Sequence, residues 1–235
     1  MTNKKLKLFL DSTDPEEVEK ALQKDILSGI STNPGTVISE YFDNVIKIAE
    51  LCKKYGQDIP ISVMLTETEP EKIFEQAKGL VSKIGYQNLI VRIPVGWEES
   101  RLAKELTQAN INVECTLGMN EAQAILAANA GAKYFFIHAS YIKDMGVDPF
   151  KMVQNSRQLL NGFNTEIIVG GIRPKSMRDV VDAFLAGADA ISAPLDVLSN
   201  RKGQVDFSPR VDKEEPKDDL TLGAETKIVI ADSEL

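Results

Sequence analysis

The sequence predicts an α/β fold, a single (β/α)8 barrel followed by a polar C-terminal extension. Three observations carry that expectation. Eight short apolar runs alternate with helix-like segments along the chain, and strand-helix alternation of this kind makes a parallel sheet that eight units close into a barrel. Helix start and stop signals fall between those runs. The chain has 235 residues, 43% of them hydrophobic, which suits one core of barrel size without division into two domains.

The elements follow in order. The first strand is Leu8-Phe9-Leu10, and Asp14-Pro15-Glu16-Glu17 after it reads as an N-cap, a proline at the first helical position and a capping-box acid. Further strands are expected at Gly29 to Thr32, Ile61 to Met64, Leu89 to Ile93, Val113 to Thr116, Tyr134 to His138, Ile167 to Val169 and Ala190 to Ser192. Two helices end in Ala-Gly-Ala, at Ala130-Gly131-Ala132 and Ala186-Gly187-Ala188, each directly before a strand, as glycine C-caps should. The barrel is assigned to residues 1–202 and the extension to 203–235, where Pro209, Pro216 and the charged run Val211 to Glu215 show no helical period. Within the extension, Thr226 to Ala231 has strand-like composition, compatible with docking on a sheet edge or a neighbouring subunit, or with disorder.

Composition excludes several function classes. The formal net charge is -8 and no segment clusters Lys and Arg, which argues against a nucleic-acid partner. No apolar stretch is long enough to span a bilayer and no signal-peptide core follows Met1, so a soluble, cytoplasmic protein with no membrane partner is expected. Cys52 and Cys115 make neither a disulfide framework nor a zinc spacing, and no metal or other cofactor is expected.

In such a barrel, polar residues at the C-terminal strand ends converge on one mouth, where the chemistry is done. The candidates are Asp11 after strand one, Thr32 and Asn33 at strand two, Ser62 and Glu67 around strand three, and Arg92 on strand four. Glu114 and Thr116 on strand five, His138 on strand six, and Gly170, Gly171 and Arg173 after strand seven complete the set. Arg92 stands out, because an apolar strand buries a guanidinium only with a carboxylate or an anion beside it. It can be a structural partner of Asp11, Glu67 or Glu114, or a ligand contact. His138, the one histidine, is either a hydrogen-bonded core residue or an acid/base. Gly170-Gly171 either permits tight packing or offers amides to a phosphate. Trp97 either covers the mouth or packs under the next helix.

Leu8-Phe9-Leu10-Asp11-Ser12 followed by Gly29-Ile30-Ser31-Thr32-Asn33-Pro34 resembles the opening of the transaldolase and fructose-6-phosphate aldolase family. Ile90-Val91-Arg92-Ile93-Pro94 resembles its Schiff-base strand, Ile111 to Leu117 with Ala122-Gln123-Ala124 its fifth strand and helix, and Ala190 to Val197 its last strand and turn. The resemblance covers roughly residues 6 to 200. It implies that Asp11 relays protons, that Asn33 orients a carbinolamine and that Thr116 helps hold a catalytic water. It also exposes departures: Arg92 stands where the family's lysine binds the ketose, His138 replaces an aromatic residue, and Tyr141 and Gly171 replace an arginine and a serine that grip phosphate. Arg173 matches the family's basic position, with one extra residue in the segment Pro174 to Met177.

Guanidinium stays protonated and cannot form the imine. The expected function is therefore a transaldolase-like enzyme acting on a small sugar, phosphorylated by expectation, or on a related carbonyl compound. Aldol cleavage or transfer, enolisation and dehydration are all open to it without the strand-four Schiff base. Asp11, Asn33, Arg92, Thr116 and His138 are its expected catalytic residues; Thr32, Ser62, Glu67, Gly170, Gly171 and Arg173 are expected to bind substrate. The alternative is a non-catalytic relative that binds a sugar phosphate or assembles with a partner. A homo-oligomer with a sugar or sugar-phosphate ligand is expected in either case.

Overall fold

The computed structural model describes residues 6–35, 38–171 and 177–199. Eight parallel strands close into a barrel in sequence order: β1 (Lys7–Asp11), β2 (Gly29–Ser31), β3 (Ile61–Met64), β4 (Leu89–Pro94), β5 (Asn112–Gly118), β6 (Tyr134–His138), β7 (Glu166–Gly170) and β8 (Ala190–Ala193). The helices are α1 (Pro15–Leu22), α2 (Tyr41–Lys54), α3 (Pro70–Ile84), α4 (Trp97–Gln108), α5 (Glu121–Asn129), α6 (Ala139–Asp144), α7 (Pro149–Leu159), α8 (Met177–Leu185) and α9 (Leu195–Leu198). The fold is the (β/α)8 barrel that the strand-helix alternation predicts. Arg173, Lys175 and the extension at 203–235 lie outside the described residues.

Side chains alternate across each strand. Leu10, Ile30, Ile61, Val63, Val91, Ile93, Val113, Cys115, Phe135, Ile137, Ile167, Val169 and Ile191 belong to the large core that includes the buried faces of the helices. The opposite parity points into the barrel, where Phe9, Ile90, Tyr134, Phe136, Ile168 and Ala190 form a second, smaller cluster. That interior leaves little room: a Cβ on Gly29 would lie 2.5 Å from the Phe9 ring.

The helix ends follow their local chemistry, with one correction. Asp14 caps α1 by accepting from the Glu16 amide at 2.9 Å. Glu17 does not close the expected capping box. It accepts instead from the Ser12 hydroxyl, whose oxygen in turn receives the Asp14 amide at 3.2 Å. A true box forms at α5, where Asn120 and Gln123 bond reciprocally. Both Ala-Gly-Ala segments close their helices through a positive-φ glycine, Gly131 at 78° and Gly187 at 106°. The following alanine amides reach back to Ala127 and Ala183 at 3.0 and 3.1 Å, the pattern of a Schellman end. Trp97 at the start of α4 is 77% exposed, which overturns the packing alternative for it. At the N-terminal strand ends, Lys7 pairs with Glu166 at 2.6 Å and Arg157 with Asp189. Ion pairs at this end of a barrel serve stability.

The Gly29 contact yields a test of the interior packing. Gly29→Ala is expected to destabilise the protein by about 1–3 kcal/mol through overpacking against Phe9, read as a fall in the thermal midpoint with the circular-dichroism spectrum retained. An unchanged midpoint would show that Phe9 does not fill the space beside β2.

Candidate functional site

Parity places Asp11, Ser31, Ser62, Arg92, Glu114, Phe136, His138 and Ser192 on the interior side of seven strands. Arg92 is central to them. It is 4% exposed, and β4 pairs with β5 so that Arg92 lies opposite Glu114. Its Nε is 2.6 Å from Glu114 Oε1, although neither atom completes a well-aligned hydrogen bond among the described residues. The contact is thus an ion pair rather than a bidentate fork. Nη1 donates to the Thr32 carbonyl at 3.1 Å and Nη2 to Thr116 Oγ1 at 3.4 Å. The guanidinium carbon sits 4.6 Å from the centre of the Phe136 ring, within cation-π range. Contacts from β2, β5 and β6 hold one side chain of β4 across the barrel.

Glu114 is fully buried and accepts from the Ser62 hydroxyl across the intervening strand. Burial pushes its carboxyl above the usual range, with the Arg92 charge and the Ser62 bond pulling the other way. Asp11, half-buried at the end of β1, is raised for the same first reason; Arg92 opposes that shift and Glu17 adds to it. Both carboxyls feel the Arg92 charge, and Glu114 is the one within ion-pairing distance of it.

Thr32 is held by structure. Its hydroxyl donates to the Ser62 carbonyl at 2.8 Å, so the Tyr41 hydroxyl, also 2.8 Å away, is the donor to it. Tyr41 also accepts the Met64 amide at 2.7 Å, and burial pushes its phenol up to about 12. On the far side of the mouth, His138 closes β6, with Nδ1 3.2 Å from Ser140 Oγ. Its ring stacks on Tyr141 at 3.8 Å and 12°. Gly170 and Gly171 lie against this wall. An added Cβ would come 2.1 Å from Phe136 at Gly170 and 2.3 Å from the His138 ring at Gly171, whose φ is +64°. Close packing is therefore a sufficient reason for both glycines.

Two expected site residues are placed elsewhere. Asn33 is exposed; its Oδ1 accepts from the Gly35 amide at 3.0 Å, and its backbone exchanges two bonds with the Thr13 hydroxyl at 2.8 and 3.0 Å. These bonds give it a turn-forming role at the loop after β2. Glu67 is also exposed, in a cavity of about 260 Å³ shared with Pro94, Glu98, Glu99 and Leu102. Neither touches Arg92 through a described bond.

Sequence reasoning missed Tyr41 and Phe136 as supports of the site. Ser31 and Ser192, whose hydroxyls lack a hydrogen-bond partner among the described residues, also escaped it. Parity could have found three of them, since Ser31, Phe136 and Ser192 share the interior face with residues already singled out. Tyr41 lies on α2, and no strand period points to it.

The closed parallel barrel is a (β/α)8 fold, and its charged, hydrogen-bonded cluster lies at the C-terminal strand ends, the end at which barrels of this class carry their sites. The particular family follows from comparison. The family model described as Transaldolase/Fructose-6-phosphate aldolase matches residues 8–225, and the chain belongs to this family. A "Probable transaldolase" of Thermoplasma volcanium is 31% identical over 197 residues, covering 82% of this chain and 86% of the relative. One of Lactiplantibacillus plantarum is 31% identical over 210 residues, covering 88% and 92%. Among solved structures, a thiamine phosphate pyrophosphorylase from Pyrococcus furiosus superposes with a TM-score of 0.58 at 16% identity, covering 81% of this chain and 86% of that one. That last likeness concerns the fold alone.

Two measurements bear on this cluster. Arg92→Ala leaves Glu114 buried without its cation and is expected to cost about 3–5 kcal/mol, measured by denaturant unfolding; a cost under about 1 kcal/mol would mean that water reaches the pair. The raised Asp11 carboxyl gives the second. A carboxyl raised on folding binds its proton more tightly in the native state, so its favourable contribution is complete below the unfolded value, near 3.8, and is lost as pH rises through the folded value. Asp11→Asn should raise the thermal midpoint at pH 7 to 8 relative to wild type, and the gain should shrink toward pH 4. A gain independent of pH would remove burial of the charge as its cause.

Proposed function

We propose that the protein is a transaldolase-like enzyme that acts on a small phosphorylated sugar or related carbonyl compound without a Schiff base on strand four. The observation that supports this reading most is the Arg92 guanidinium itself, held at the barrel centre by Glu114, Thr32 and Thr116 beside the half-buried Asp11. A fixed cation there polarises a ligand carbonyl oxygen while a neighbouring C–H or C–C bond breaks. Asp11 is the carboxyl placed to exchange the proton, being more accessible than Glu114 and poised upward by burial. His138, half-buried at the opposite wall with Ser140 on Nδ1, is the second proton carrier. Thr116 orients the ligand or a water through its hydroxyl. The phosphate end is assigned to Gly170, Gly171 and Arg173 after β7, the place where parallel barrels commonly bind phosphate. The names of the relatives, probable transaldolases, support the substrate class.

The imine route is disfavoured on chemical grounds. Arg92 has no free amine near neutral pH, and Lys143 projects from α6 to Asp179 at 3.1 Å, outside the barrel. Borohydride reduction with dihydroxyacetone or fructose 6-phosphate should leave the mass of the protein unchanged, whereas deuterium should enter the carbon next to the carbonyl of a true substrate. A stable adduct mapped to any lysine would overturn the mechanism. Absence of exchange and turnover across a panel of ketose and aldose phosphates would favour the non-catalytic binding alternative.

Glu114 also sets what a restored lysine can do. In Arg92→Lys the adjacent carboxylate keeps the new amine protonated, and only the neutral amine attacks a carbonyl. Imine trapping is expected to be weak in that variant and to rise roughly tenfold or more when Glu114→Gln is added, the equivalent of one pKa unit. Equal trapping by the single and double variants would show that Glu114 does not govern the charge at this position.

A further inference from the structure

We propose that Glu114 makes the barrel centre selective for the uncharged carbonyl or hydroxyl end of a ligand and bars an anion from Arg92. The inference rests on the reading of Arg92 as a ligand contact and names the charge class that this contact accepts.

The argument begins with charge. Arg92 already has a carboxylate 2.6 Å from Nε, and that carboxylate is itself anchored by Ser62. Asp11 adds a second carboxyl on the interior side at the end of β1. The other cation on an interior strand position among the described residues is Lys7, which sits at the opposite end of the barrel and is bound to Glu166. A phosphate or carboxylate brought to Arg92 would therefore meet Glu114 at the same guanidinium, with Asp11 on the same interior side, in a water-poor site where like-charge repulsion is least screened. A neutral oxygen meets no such opposition, because Nη1 and Nη2 each carry two N–H groups and each has one bond among the described residues.

A second observation points the same way. Ser31 and Ser192 face the interior from β2 and β8, on either side of β1; each is 1% exposed, and each hydroxyl lacks a hydrogen-bond partner among the described residues. Buried hydroxyls left in this way favour a ligand that can both donate and accept. They match an alcohol or carbonyl and add no charge to attract an anion. Ser31 and Ser192 thus add neutral hydroxyls to the interior face, Glu114 already occupies the Nε side of Arg92, and any phosphate of the substrate must lie away from Arg92.

Hydroxyacetone and glycolate test this directly, since they differ by a methyl group against a charged oxygen in nearly the same shape. The full-length protein is titrated with each, following the Arg92 Nε–H resonance, which is assigned by its loss in Arg92→Lys. In wild type, hydroxyacetone should shift the resonance saturably and glycolate should need at least roughly tenfold higher concentration. In Glu114→Gln the order should invert, with glycolate binding at least roughly tenfold more tightly than to wild type. Wild-type binding of glycolate at Arg92 as tight as that of hydroxyacetone overturns the inference and leaves the proposed function standing. A wild-type preference for hydroxyacetone that Glu114→Gln does not relax removes Glu114 as its cause and overturns the inference as stated. If neither molecule moves the resonance, Arg92 is not a ligand contact and both readings fall. Should Glu114→Gln not fold, glycolate binding by wild type as tight as that of hydroxyacetone still contradicts the proposal.

Discussion

The ion pair between Arg92 and Glu114 is the constraint around which the upper barrel is arranged. A guanidinium and a carboxylate removed from water are each strongly unfavourable alone, and they are tolerated together only when their remaining bonding capacity is met nearby. Those demands recruit the neighbours in turn. Ser62 completes Glu114, while the Thr32 carbonyl and the Thr116 hydroxyl complete Arg92. Tyr41 reaches in from α2 to hold Thr32 and the Met64 amide. One buried charge pair thus ties four strands and a helix to a common geometry at the end where a parallel barrel does its chemistry.

The opposite wall is governed by volume instead of charge. Phe136 and His138 lie on the interior face of β6, and β7 makes room for them by ending in Gly170 before Gly171. The aromatic ring of Phe136 then serves two neighbours, packing on Gly170 and presenting its face to Arg92. Between the two walls lies Asp11, close enough to the ion pair to be influenced by Arg92 and open enough to meet a ligand. The end of the barrel is thus divided into a charged side and an aromatic side.

Much of this was readable along the chain. The alternation of apolar runs and capped helices predicts the barrel because each βαβ unit is a local pattern, and local patterns survive translation into structure with little dependence on distant contacts. Arg92 announced itself as a charge on an apolar strand, and its possible carboxylate partners could be named. Which partner it takes was not readable. Asp11, Glu67 and Glu114 satisfy the same chemical rule, and only the register of β4 against β5 selects Glu114, while Glu67 falls in an exposed loop. Asn33 illustrates the same limit: the motif around it names a role in the family, yet its side chain here closes a turn onto Gly35.

By itself the sequence determined the fold class, the family resemblance and the absence of a lysine at the strand-four position, because these depend on residue type and on short-range periodicity. The tertiary structure decided that Arg92 is already paired with Glu114, that Gly170 and Gly171 are pressed against aromatic rings, and that Ser31 and Ser192 face the interior without hydrogen-bond partners among the described residues. Those features arise between strands that are far apart in the chain. Strand register and barrel closure set them, and neither is encoded in any one segment.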